Sequence, residues 1–300
     1  MAAKFIRYEN SPVFLSPTEN VAPQTGLSIS NLIAASSCEI NFDASLDANK
    51  FLGVDPISND FSVSGPKRST ISLSYIPLVG GNTKDGIEQA SLAPFSMTGD
   101  FVSGHSLKIG NFLFKQCYLD TLSFQLQSYQ PIRCSAQFTS YDSVLLENDV
   151  YNGISGAFSA LVDSSSGSYL SCLHALSTNV SGDSVSLPES KTEISVNYQC
   201  SRTAVYEVGS LTPKTVLLQG VSRSTSIVGE NIGRVISYSG NNASLNLSIG
   251  EFGKLTNGGF NPSTDTKLFI GITGRVVSQN LSFATNRIAD GSISLVENLY

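Results

Sequence analysis

Leu122-Ser123-Phe124-Gln125-Leu126-Gln127 alternates apolar and polar side chains without a break. Successive side chains of an extended chain point to opposite faces, so the three apolar residues share one face and Ser123, Gln125 and Gln127 the other. The same period of two recurs in Ile71, Leu73 and Tyr75, in Ile194, Val196 and Tyr198, and in Leu245, Leu247 and Ile249. Each run predicts a half-buried strand. Gly65-Pro66, Gly80-Gly81, Asn152-Gly153 and Asn257-Gly258-Gly259 supply turns between such runs. Helical signals are confined to 84–92, where Asp85 is placed to cap, and to 229–236. The expected fold class is all-β, with at most short helices.

Composition narrows the function. Of 300 residues, 41% are apolar and only 14% charged, with a formal net charge of −6. Ser, Thr, Asn and Gly take the place of charge, which suits strand faces and turns. Residues 1–150 hold 9 Lys+Arg against 14 Asp+Glu, and residues 151–300 hold 9 against 10. A protein that grips nucleic acid or an anionic membrane needs the opposite balance. The first ten residues lack the apolar core of a signal peptide, and no apolar run reaches membrane-spanning length.

Residues for chemistry are scarce. Only two histidines occur, His105 and His174, and neither stands in an H-E-x-x-H pattern. Ser171, Cys172 and His174 are neighbours, but a nucleophile and its base meet through a fold, not through adjacency. Gly153-Ile154-Ser155-Gly156-Ala157 misses the G-x-S-x-G spacing of a nucleophile elbow. Cys38, Cys117, Cys134, Cys172 and Cys200 are odd in number and widely spaced, which predicts free thiols that pack as small apolar residues. Asp43, Asp47, Asp55 and Asp60 lack the order of a calcium loop and read as a solvated or lining face. Trp is absent, which argues against a sugar-binding platform. No catalytic, metal or cofactor-binding residue is assigned, and an enzyme is not expected.

A weak internal repeat organises the chain. Cys38-Glu39-Ile40-Asn41-Phe42-Asp43 is echoed by Thr192-Glu193-Ile194-Ser195-Val196-Asn197. Further anchor pairs are Gly53 and Gly209, Arg68 and Arg223, Phe124 and Phe283, and Ser135 and Ser292, spaced by 156, 155, 159 and 157 residues. These spacings predict two similar domains, 1–150 and 151–300, with the junction in 147–156. Two stretches are too long for routine connections and are nominated as arms: 1–24 and 79–100.

With strands, repeat and sparse chemistry in view, the chain resembles the bacteriophage tail tube (major tail) proteins in their duplicated-domain form. The resemblance rests on an alternating strand, a Leu-Gly or Val-Gly turn and a second alternating strand. In the first half these are Ile40 to Asp43, Leu52-Gly53 and Ser69 to Tyr75; in the second, Ile194 to Tyr198, Val208-Gly209 and Ser224 to Ile227. The closing pairs, Tyr118 to Phe124 with Cys134 to Phe138 and Arg275 to Phe283 with Leu295, extend it. The pattern covers about half the chain and is a style of strand arrangement more than a motif.

The resemblance implies a β-sandwich or barrel per domain and a structural role in the virion. It further implies self-assembly into rings of six domains, here a trimer acting as a pseudo-hexamer. Stacked rings would form a tube beside other tail proteins, with viral DNA passing through the lumen unbound and no membrane or cofactor involved. An acidic lining would keep the duplex mobile. Two alternatives stay open at this point: another virion part (capsid decoration, neck or baseplate), and a carbohydrate- or receptor-binding β-sandwich.

Overall fold

The computed structural model describes residues 13–20, 32–33, 35–43, 46–48, 61–63, 68–80, 100–128, 130–142, 144–146, 170–182, 188–232, 240–251, 266–282 and 290–299. Among them every regular element is a strand. The first half supplies β1 (Val13–Ser16), β2 (Leu32–Ile33), β3 (Ala35–Asp43), β4 (Leu46–Ala48), β5 (Phe61–Val63), β6 (Arg68–Tyr75), β7 (Leu78–Gly80), β8 (His105–Ile109), β9 (Phe112–Gln127), β10 (Arg133–Ser140) and β11 (Leu145–Leu146). The second supplies β12 (Leu170–Gly182), β13 (Pro188–Val205), β14 (Thr215–Ile232), β15 (Asn242–Glu251), β16 (Thr266–Ser282) and β17 (Asp290–Asn298).

Fifteen of these strands form one antiparallel sheet, and β4 and β5 pair apart from it. The alternation that predicts the strands also decides what they bury. Ile71, Leu73 and Tyr75 of β6 and Leu122, Phe124 and Leu126 of β9 are all buried, as are Ile194, Val196 and Tyr198 of β13 and Leu245, Leu247 and Ile249 of β15. These side chains belong to one continuous apolar cluster reaching from Val13 to Leu295. Burying a Leu, Ile or Phe side chain contributes about 1.5–3 kcal/mol, so this shared face is the main stabilising element.

The strand order carries a repeat. In the first half β3 pairs β6, β6 pairs β10, β10 pairs β9, β9 pairs β8 and β8 pairs β1. In the second, β13 pairs β14, β14 pairs β17, β17 pairs β16, β16 pairs β15 and β15 pairs β12. Six strands in the same chain order thus make the same neighbours.

Bulges fix the correspondence. Ser36 of β3 and Thr192 of β13, 156 positions later, are each the extra residue of a bulge. The Ser36 hydroxyl donates to the Ser74 carbonyl at 3.0 Å and the Thr192 hydroxyl to the Val228 carbonyl at 3.2 Å. In both cases the acceptor lies opposite the residue after the bulge. Asp120 of β9 and Val277 of β16, 157 positions apart, are likewise the extra residues of a second pair of bulges.

Registers and bulges together pair Cys38 with Ile194, Ser69 with Arg223, Phe124 with Leu281 and Ser135 with Ser292. Of the anchors read from sequence, Ser135 and Ser292 coincide with this. The Cys38 and Phe124 anchors are displaced by two residues, which preserves the face. Arg68 corresponds to Ser222, not Arg223, a slip of one that changes the face. Gly53 lies outside the described residues.

Other expectations are corrected. Gly229 and Glu230 lie inside β14, paired on one side with Lys191 and Ser190 and on the other with Gly291 and Asp290, so the helix expected at 229–236 is a strand as far as Ile232. Two flanking ladders satisfy the backbone there and leave no place for helical hydrogen bonds. The other helical stretch, 84–92, and the junction 147–156 lie outside the described residues. Part of the nominated arm 1–24 is not an arm: Val13, Phe14, Leu15 and Ser16 are buried, and β1 is held between β2 and β8. At the ends of the stretch 79–100, Val79 and Gly80 pair β12 and the Asp100 carboxylate accepts from the amides of Val102 and Ser103.

Candidate assembly interface

The residues weighed for chemistry are dispersed. His105 is buried in β8, and burial holds its imidazole below the usual histidine range. His174 lies in β12, with Nδ1 3.1 Å from the Cys172 carbonyl oxygen. Ser171, Cys172 and His174 lie along one strand, with the buried Leu173 between the last two. The five cysteines are free thiols, Cys117 and Cys134 buried and the others half-buried. Burial pushes Cys38 and Cys200 up to about 11 and Cys117 to about 12, so they are neutral near pH 7 and poor nucleophiles. Asp43 ends β3 opposite Arg68 and Asp47 lies in β4, while Asp55, Asp60 and 153–157 lie outside the described residues. Among the described residues no three His, Cys, Asp or Glu gather as metal ligands, and no helix is long and apolar enough to cross a membrane.

What the fold does concentrate is strand edge. β9 pairs β10 along one edge, and along the other it pairs β13, from Gln127 opposite Glu193 to Thr121 opposite Gln199. This ladder joins the first six-strand set to the second. Val196 stands directly across from Phe124, and both are buried. The Tyr198 ring packs 6.3 Å from Phe124 and 5.7 Å from Phe101, with the Arg223 guanidinium 5.7 Å above it. On the polar face, Gln125 and Gln127 donate to the two Glu193 carboxylate oxygens at 2.5 and 3.4 Å. Arg202 donates to the Leu119 carbonyl at 3.2 Å and to that of Phe101, and lies 5.2 Å over the Tyr118 ring. The joint is therefore a β ladder with an apolar side and a polar clamp.

Among the described residues the corresponding edges elsewhere are open. β3 corresponds to β13 but has a strand neighbour, β6, on one side only among the described residues. The Asn280–Ser282 end of β16 corresponds to 123–125 of β9, with β17 on one side and no described strand on the other. Exposure follows the missing neighbours. Ile194, Val196 and Tyr198 are buried, whereas their counterparts Cys38 and Ile40 are half-buried and Phe42 is 56% exposed. Phe124 is buried, and its counterpart Leu281 is 40% exposed.

A second exposed element was not legible in the sequence. Past Gln199 and Ser222, β13 and β14 have no outer strand neighbours among the described residues and continue as a two-stranded hairpin. Val216 on this arm packs with Tyr118 and Tyr141, while Tyr206, Val208, Leu211 and Leu217 are exposed near its tip. The tip turns at Gly209, whose φ of 86° lies in the left-handed region that favours glycine, and carries a Lys214–Glu207 ion pair. The clustering of Tyr206, Val208 and Leu211 around Gly209 was the available signal. No protein-family model matches the chain, and no curated protein matches its sequence significantly.

Proposed function

We propose that this chain is a structural virion protein, a tail tube subunit built from two tandem copies of one β domain, 1–150 and 151–300. The observation that carries the reading is the β9–β13 ladder, which joins the two six-strand sets head to tail while their outer edges, β3 and the end of β16, have no further strand among the described residues. Exposed edges are an aggregation hazard in a monomer, and closure of a cyclic assembly removes it. Three chains make a ring of six domains, and the β13–β14 arm, apolar at its tip, supplies a contact between stacked rings. The lumen passes DNA without binding it, in keeping with the −6 charge. No other virion component is favoured by a particular observation.

Particle mass and negative-stain microscopy of the purified chain test this. Rings of three times the 31.9 kDa chain mass, or stacked tubes with a central hole, are expected. A compact monomer at every concentration would sink the reading. A lumen lined mainly by Lys and Arg would sink the conduit part of it alone.

A further inference from the structure

We infer that the open edge of β3 docks on the open end of β16 of a second copy of this chain, in a register set by the internal joint. The inference deepens the assembly reading and rests on self-association, but it commits to particular residues. Its argument is the structural correspondence. β13 maps on β3 with a shift of 156 and β9 on β16 with a shift of 157, as the bulges at Ser36, Thr192, Asp120 and Val277 fix.

Carried through those shifts, the joint's pairs Gln199 with Thr121, Asn197 with Ser123, Val196 with Phe124 and Ser195 with Gln125 become a ladder between chains. Asp43 then lies opposite Ser278, Asn41 opposite Asn280, Ile40 opposite Leu281 and Glu39 opposite Ser282. The faces agree. Ile40 and Leu281 take the places of buried Val196 and Phe124, and each is more exposed than its counterpart by virtue of the absent strand. Asn41, Asn280, Glu39 and Ser282 fall on the polar face, where their counterparts Asn197, Ser123, Ser195 and Gln125 are at most half-buried. The polar clamp is not reproduced, since Ser37 stands in the place of Glu193 and Ser282 in that of Gln125. The joint between chains is thus the weaker and the more reversible of the two.

A cysteine pair reads the register directly. Residues opposite each other in an antiparallel ladder lie about 4.5–5.5 Å apart at Cα, within disulfide reach. The Asn41→Cys/Asn280→Cys variant of the full chain, oxidised and run without reductant, is expected to give covalent dimers and higher multimers. Asn41→Cys/Ser282→Cys, out of register by two, is expected to give no more than each single variant. Leu281→Asp is expected to shift sedimentation to the monomer with an unchanged melting temperature. Assemblies that sediment normally yet fail to cross-link in register overturn the ladder and leave self-assembly standing. A chain monomeric at every concentration overturns both.

Discussion

Arg223 shows how one buried charge is made tolerable. It is 7% exposed, pairs with Glu297, donates to the Thr273 carbonyl at 2.9 Å and that of Gly271 at 3.3 Å, and covers Tyr198. Charge-assisted hydrogen bonds of this kind contribute about 1.5–3 kcal/mol each, so Arg223→Leu is expected to destabilise the chain by about 2 kcal/mol in urea unfolding. Lys214→Ala breaks an ion pair whose side chains are 66% and 61% exposed and is expected to change stability by less than about 0.5 kcal/mol. His105 sets a pH dependence. Burial lowers its folded-state pKa below the ordinary 6.5, so the unfolded chain binds the proton more readily. The contribution of neutral His105 is present above pH 6.5 and is lost as pH falls through its folded-state value. Urea midpoints at pH 7.5 and pH 5 should therefore differ less in His105→Gln than in the parent chain; an equal difference would exclude His105 as the source.

At the scale of the element, the alternating runs were legible in the sequence because burial on one face imposes period two. Ile71, Leu73 and Tyr75 therefore fall where their spacing predicts. Register was less legible. Arg68 and Arg223 look alike in sequence yet occupy opposite faces, because their spacing of 155 is one more than the 154 that the ladders set for these two strands. Nor did the sequence separate a paired strand from a projecting one. Thr203, Val205, Thr215 and Val216 favour a strand whether or not a third strand covers it, so the arm emerges only from the ladder's end. The arm tip gives a prediction at this scale. Val208→Asp together with Leu211→Asp replaces exposed side chains, so melting should move little, while turbidity or tube length under assembly conditions should fall. Unchanged tube length would remove the arm from the contacts between rings.

For the molecule as a whole, the β9–β13 ladder is the joint between the two six-strand sets, and Phe124 is its apolar centre. Phe124→Ala should cost about 3–5 kcal/mol by urea unfolding, more than Leu281→Ala at the corresponding but exposed position. Equal costs in the monomeric chain would mean that Leu281 is covered as Phe124 is. The Glu193 clamp has one more consequence, which concerns misassembly. Because β3 and β13 follow the same plan, β3 of a neighbour is a rival for the β9 edge, and acceptance of the rival would scramble the order of copies along a growing assembly. Tethering within one chain gives β13 an effective concentration in the millimolar range, and Gln125 and Gln127 reward Glu193 where a rival offers Ser37. In the proposed assembly the clamp would serve as a proofreading contact, telling a chain's own strand from a stranger's.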